Sequence, residues 1–129
     1  MLIANNITMQ FGAKPLFDNV SVKFGDGNRY GLIGANGAGK STLLSVLAGL
    51  RAPIAGQVRI DGASYATLGA RKSALIRGWL PQARGDAFAS TVLETVLVGR
   101  HPHLERWGWE SGKDAKIVRQ ALAAVDLSG

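Results

Sequence analysis

The stretch Gly34-Ala-Asn-Gly-Ala-Gly-Lys-Ser41 (GANGAGKS) decides how this chain is read. Gly34, Gly39, Lys40 and Ser41 match G-x-x-x-x-G-K-[ST], and Gly37 adds a further glycine inside the loop. Glycines permit positive φ and let the main chain close around phosphate oxygens. The N–H groups from about Gly37 to Thr42 are expected to form an anion nest. A helix starting near Lys40 adds the positive end of its dipole to that nest. Lys40 is expected to reach the β- and γ-phosphates as a point charge, and the Ser41 hydroxyl to ligate Mg²⁺. The expected ligands are therefore ATP and Mg²⁺, bound by Gly34, Ala35, Asn36, Gly37, Ala38, Gly39, Lys40, Ser41 and Thr42. A chance glycine turn would lack the flanks found here, an apolar run Tyr30 to Ile33 before the loop and an apolar helical pattern after it.

Upstream, Ile7, Met9 and Phe11 alternate with polar neighbours, as do Val20, Val22 and Phe24. Both stretches read as half-buried strands joined by a turn around Gly12 to Pro15. Gly25 to Gly27 then punctuate the chain before Tyr30 to Ile33, the strand expected to enter the loop. Downstream, Lys40 to Leu50 reads as a helix with Leu43, Leu44, Val46, Leu47 and Leu50 apolar, ended by Pro53 and Gly56. Gln57 to Asp61 reads as a strand, Leu68 to Ile76 as a helix, and Gly78 to Leu80 as a further strand stopped by Pro81. Two more helices are expected, from Thr91 to Val98 and from Asp114 to Val125. Neither an internal repeat nor a low-complexity tract interrupts the pattern.

The 129 residues fit one domain, and a hydrophobic content of 47% suffices for a packed core. Zero cysteines exclude disulfides, thiol nucleophiles and thiolate metal sites within the sequence. No basic start with a long apolar run marks a signal peptide, and no apolar stretch approaches the ~18 residues of a membrane span. The net charge of +6 favours anionic partners. Its closest basic grouping is Arg71, Lys72, Arg77 and Arg84, which lacks interleaved aromatics and reads as a solvated face.

Beyond the loop, the residues resemble an ABC ATPase, the nucleotide-binding domain of ABC transporters and their relatives. Leu47 to Leu50 (LAGL), Pro53, Gly56 and Val58 to Gly62 (VRIDG) look like the stretch that follows the family's P-loop helix. Leu80-Pro81-Gln82 looks like its Q-loop, and Phe11 before Gly12 sits where the family has an aromatic that stacks on adenine. The resemblance implies an α/β P-loop NTPase fold of ABC ATPase type. It has an N-terminal antiparallel β-subdomain and the start of a helical subdomain, and is incomplete. Residues 1–85 would form the ATP-binding core and residues 86–129 the start of the helical subdomain. By the same resemblance Gln82 would contact Mg²⁺ and the attacking water, so that Lys40 and Gln82 contribute to an incomplete catalytic set. Alone, each of Phe11 and Gln82 could equally be a core or surface residue.

The resemblance divides by subfamily. Residues 1–42 look like ABC-F proteins, soluble translation factors that act on ribosomes. The remainder looks like the ATPase subunit of importers for haem, iron-siderophore or cobalamin, with Thr91 to His103 (TVLETVLVGRHPH) and Ala121 to Leu127 (ALAAVDL) as the pointers. The LSGGQ signature, the Walker B strand and the switch histidine of the family are not in the sequence. Leu127-Ser128-Gly129 is read as a linking loop, and His101 and His103 as neither switch nor metal ligands. Trp107 and Trp109 are read as capping the helical subdomain, with a protein contact as the alternative. Three functions stay open. They are an importer ATPase subunit with a second ATPase domain and a transmembrane permease as partners, a ribosome-bound ABC-F ATPase, and a nucleotide-binding fragment without hydrolysis. The first implies a cytoplasmic protein at the inner face of the cell membrane.

Overall fold

The computed structural model of the chain describes residues 1–82, 89–104, 108 and 111–127. Two compact units are present, Met1–Trp79 and Leu80–Gly129.

The first unit opens with β1 (Leu2–Gln10) and β2 (Pro15–Phe24), an antiparallel hairpin with Ile7 opposite Val20 and Met9 opposite Phe17. β1 also pairs antiparallel with β3 (Ala55–Ile60), and a two-residue β4 (Ala63–Ser64) completes a sheet of order β2-β1-β3-β4. Strict alternation along β1 is broken between Ala4 and Ile7, where the register shifts. Asn6 adopts φ 52° and Asn19 φ 51°, and the Asn6 Nδ2 donates to Asn19 Oδ1 at 2.6 Å. Asparagine tolerates this left-handed conformation better than most residues, so the paired asparagines hold the irregularity. As a result Ala4, Ile7 and Met9 all reach one core.

Helix α1 (Lys40–Leu47) supplies Val46 and Leu47 to that core, where they meet Val58 of β3. Burying side chains such as Ile7 and Val46, both nearly free of solvent contact, stabilises the unit by about 1.5–3 kcal/mol each. α1 stops earlier than the expected Leu50, and the terminator is Gly49 rather than Pro53 or Gly56. Gly49 takes φ 66°, its N–H donates to Val46 O at 2.9 Å, and the Leu50 N–H donates to Ser45 O at 2.9 Å. These two bonds are a Schellman motif, which glycine favours because the left-handed residue carries no Cβ.

The expected strands at Tyr30 to Ile33 and Gly78 to Leu80 do not form. A strand needs a neighbour to take its N–H and C=O groups, and neither segment has one among the described residues. Tyr30 instead folds back on β2. Its ring meets Phe24 edge-on at 4.9 Å, and its hydroxyl accepts from the Gly25 N–H at 2.9 Å. Phe11 also lies outside the strand expected for it, in a bend after Gln10.

Helix α2 (Tyr65–Ile76) is capped by Ser64, whose Oγ accepts from Thr67 N at 3.1 Å, and is broken at Gly69 with φ 74°. Arg77 departs from the solvated basic face expected of it. Its guanidinium donates to Ala48 O at 2.6 Å and lies 5.7 Å from the Tyr65 ring centroid. Arg71 and Lys72 are exposed, and Arg84 lies outside the described residues.

The second unit contains α3 (Val92–Leu97), a 3-10 helix (Val98–His103) and α4 (Gly112–Ala123). Thr91 with Glu94 and Ser111 with Asp114 form capping boxes at the two α-helical N-termini. Val118 and Leu122 of α4 are buried. Arg100 Nε donates to Asp114 Oδ1 at 2.9 Å, tying the 3-10 helix to the start of α4. Trp107, Trp109 and the expected 85/86 boundary lie outside the described residues.

Candidate nucleotide site

The glycine loop runs into α1 with a helix N-terminus left bare. Gly39 is the N-cap at φ 84°, with no side-chain cap and no acidic residue in the first turn. Gly37 is also left-handed at φ 83°. A turn closes the loop, Ala38 N donating to Ala35 O at 3.2 Å, and the first helical bond runs from Leu43 N to Gly39 O at 2.8 Å. Among the described residues, the N–H groups of Gly37, Gly39, Lys40, Ser41 and Thr42 donate to no backbone carbonyl. Together with the helix dipole, such unpaired donors make a site for an anion.

Lys40 is folded back over its own loop. Its Nζ donates to Gly34 O at 2.6 Å and Ala35 O at 2.7 Å. A Cβ built on Gly34 would lie 3.8 Å from Lys40 Cδ, so the lysine stem crosses that glycine. The ammonium therefore sits within the loop and has two weak neutral partners to exchange for charged ones. Gly34, Ala35, Asn36, Gly37, Ala38 and Ser41 are exposed, and Thr42 is half-buried. The Ser41 hydroxyl makes no hydrogen bond among the described residues, which leaves an oxygen donor suited to a hard cation.

The sheet positions this loop through Leu16. A Cβ on Gly39 would fall 2.8 Å from Leu16 Cγ, so Leu16 fills the space that glycine leaves. Gln10 pairs with Pro15 next to Leu16, so the end of the β1–β2 hairpin runs beside the loop. Phe11 is carried at that end and is 62% exposed. Arg51 lies over the Phe11 ring, its Cζ 5.2 Å from the centroid. Sequence reasoning missed Arg51, because a lone arginine in a turn gives no signal of a contact so distant in the chain.

Gln82 belongs to the second unit, where it is exposed in a bend after Pro81. His101 and His103 are exposed, and no group of three or more His, Cys, Asp or Glu able to hold a metal occurs among the described residues. Ser128 and Gly129 lie outside the described residues. No helix among the described residues is long and apolar enough to cross a membrane.

A hemin import ATP-binding protein of Bordetella parapertussis is 45% identical over 127 residues, covering 98% of this chain and 47% of that protein. The corresponding protein of Gloeobacter violaceus is 40% identical, with 99% and 46% covered. "Probable ATP-binding protein YbiT" of Escherichia coli O157:H7 is 45% identical, with 98% of this chain and 21% of that protein covered. The chain thus spans about half the length of the hemin import relatives, or less for the third. Among solved structures, a metal-chelate type ABC transporter in an inward-facing conformation superposes with TM-score 0.75 at 27% identity, over 98% of this chain and 46% of that one. A dimeric ATP-binding cassette bound to ADP and phosphate superposes with TM-score 0.79 at 24% identity, over 98% and 57%, a likeness of fold. The family model for ABC transporters matches residues 17–129, nearly the whole chain, and this chain belongs to the ABC transporter family.

Proposed function

We propose that this chain is the nucleotide-binding portion of the ATPase subunit of an importer of the haem, iron-siderophore or cobalamin type. The observation that carries the reading is the open glycine loop on the uncapped N-terminus of α1, with Lys40 inside it. The likeness to hemin import ATP-binding proteins and to a metal-chelate type transporter supports the importer class.

On this reading the free N–H groups of Gly37 and of Gly39 to Thr42 take the phosphate oxygens, and the Lys40 ammonium leaves Gly34 O and Ala35 O for the β- and γ-phosphates. Exchanging neutral acceptors for charged ones strengthens each bond roughly twofold. Ser41 would hold Mg²⁺, whose charge would offset that of the phosphates, and the family resemblance adds Gln82 as a further ligand. Phe11 would stack on adenine. Phosphoryl transfer depends on positioning and charge stabilisation rather than covalent chemistry by the protein. The residues of this chain supply phosphate binding and not the carboxylates that complete the site, so we propose that the 129 residues bind nucleotide with little turnover. In the whole protein, a second ATPase domain and a membrane permease would complete the machine at the inner face of the membrane.

Titration calorimetry of the 129-residue chain with Mg–ATP tests this. Lys40→Ala is expected to weaken binding about ten- to a hundredfold, the loss of one or two charge-assisted bonds. Equal affinity of wild type and variant would overturn the phosphate site, and steady hydrolysis abolished by Lys40→Ala would overturn binding without turnover. The ABC-F alternative, favoured by the resemblance of residues 1–42, requires co-sedimentation with ribosomes that is lost as salt is raised.

A further inference from the structure

We propose that Arg51 is a positioning residue for the nucleobase. Its guanidinium holds the Phe11 ring from one face, so that the opposite face is presented to adenine. The proposal rests on the ATP-binding reading above and adds to it a residue that supports the base platform.

Phe11 has little else to hold it. It follows the last residue of β1, lies in a bend rather than the ladder, and stands outside the core cluster of the sheet. Phe11 is 62% exposed, and the Arg51 guanidinium over its ring is the one aromatic or cation–π contact it makes among the described residues. An aromatic side chain free to turn must be ordered when a base stacks on it, at a cost in rotamer freedom. A cation resting over the ring favours one ring orientation and so reduces that cost. It also draws π density away from the free face, which favours a stacked purine.

The backbone of Arg51 is anchored to the helix that carries the loop. Its backbone N–H donates to Ser45 O at 3.2 Å, beside the Leu50 N–H that donates to the same oxygen at 2.9 Å. The residue is thereby tied to the C-terminal turn of α1, whose N-terminus carries the phosphate loop. Leu16 packs beneath Gly39 at the other end, so the hairpin end bearing Phe11 is referenced to the same helix. One rigid helix then sets the distance between base platform and phosphate cradle, which is what a nucleotide site needs.

The test compares Mg–ATP with Mg–tripolyphosphate, a ligand with the phosphates and no base, on the full 129-residue chain. Wild type, Phe11→Ala, Arg51→Ala, Arg51→Lys and the double variant Phe11→Ala/Arg51→Ala are titrated by calorimetry. Phe11→Ala is expected to weaken ATP about tenfold and tripolyphosphate not at all. Arg51→Ala should weaken ATP about two- to fivefold, again sparing tripolyphosphate, Arg51→Lys should recover part of the loss, and the double variant should match Phe11→Ala alone. Loss of tripolyphosphate binding in Arg51→Ala would make Arg51 a phosphate ligand and overturn the proposal. So would additive losses in the double variant, or unchanged ATP affinity in Arg51→Ala while Phe11→Ala weakens it. If Phe11→Ala leaves ATP affinity unchanged, the adenine platform itself fails. If Lys40→Ala leaves both ligands bound, the phosphate reading fails, so the three failures are distinguishable. Arg51 is exposed, and thermal melts of its variants should match wild type.

Discussion

The Arg77 guanidinium donates to the Ala48 carbonyl at 2.6 Å across 29 residues of sequence, and so places a cation on the C-terminal end of the helix that begins at the glycine loop. The Tyr65 hydroxyl donates to the neighbouring Leu47 carbonyl at 3.0 Å, and burial pushes the phenol up so that it stays a donor. Helix ends leave carbonyls without partners, and their partial negative charge favours a cation. α1 is thus stabilised at its far end by α2 and the residue just beyond it, while its near end stays open.

Replacing Arg77 removes a charged hydrogen bond and leaves Ala48 O short of a partner. Arg77→Leu is expected to cost about 1–2 kcal/mol, measured as lowered denaturant midpoint with unchanged slope. Arg77→Lys should recover part of this, since it keeps charge and loses the planar fork. An unchanged midpoint in Arg77→Leu would show that the contact contributes nothing.

The glycines of the loop and the sheet differ in what a methyl group would meet. At Gly39 the obstacle is the flexible side chain of Leu16 at 2.8 Å, and at Gly56 it is the backbone oxygen of Asn6, which lies closer still and cannot swing aside. Both sit at positive φ, so both pay for strain, about 1–2 kcal/mol. Gly56→Ala should therefore destabilise more than Gly39→Ala. Combining Gly39→Ala with Leu16→Ala should relieve the clash without relieving the strain. Equal melting points for the two single variants would refute the ordering.

Acid should act on the second unit through Asp114. Hydrogen bonds from the Ser111 hydroxyl, then from the Arg100 guanidinium, then from the Ser111 backbone hold its carboxyl well below the usual carboxylate range. A depressed folded-state value means the stabilisation is present above the unfolded value, near pH ~4, and is lost as pH falls below it. Helicity followed against pH should fall there in wild type. Asp114→Asn should be less stable at pH 7 and lack that acid-dependent component; an acid transition identical in both proteins would assign it to other groups.

The sequence was most legible where one local pattern carried the structure. The loop motif placed Gly39, Lys40 and Ser41 at the start of α1, and alternation of Val20, Val22 and Phe24 gave a strand. It misled at Tyr30 to Ile33, because apolar residues report a wish for burial, whereas a strand also needs a partner for its backbone. It was silent on Arg51 over Phe11 and on Arg77 at Ala48, since nothing local distinguishes an arginine that reaches a distant element from one that faces solvent. The affected residues make contacts between elements far apart in the chain, which no local pattern encodes.

The unpaired segment before the loop yields the last prediction. Ile33 is 96% exposed and Leu32 43%, beside a backbone with no ladder partner among the described residues. Exposed apolar side chains next to unpaired backbone invite association between chains. The 129-residue chain should accordingly bind a hydrophobic dye while folded and lose solubility as concentration rises. Ile33→Gln removes apolar surface without opening a cavity, because nothing packs on that side chain closely enough to bury it. It should lower dye binding and raise solubility while leaving the melting temperature within about 2 °C, the small effect usual for exposed sites. A marked fall in melting temperature would mean that Ile33 is covered in solution, by a second copy or by a strand pairing formed there. Sedimentation velocity on the same sample separates these two, since only the first changes the mass.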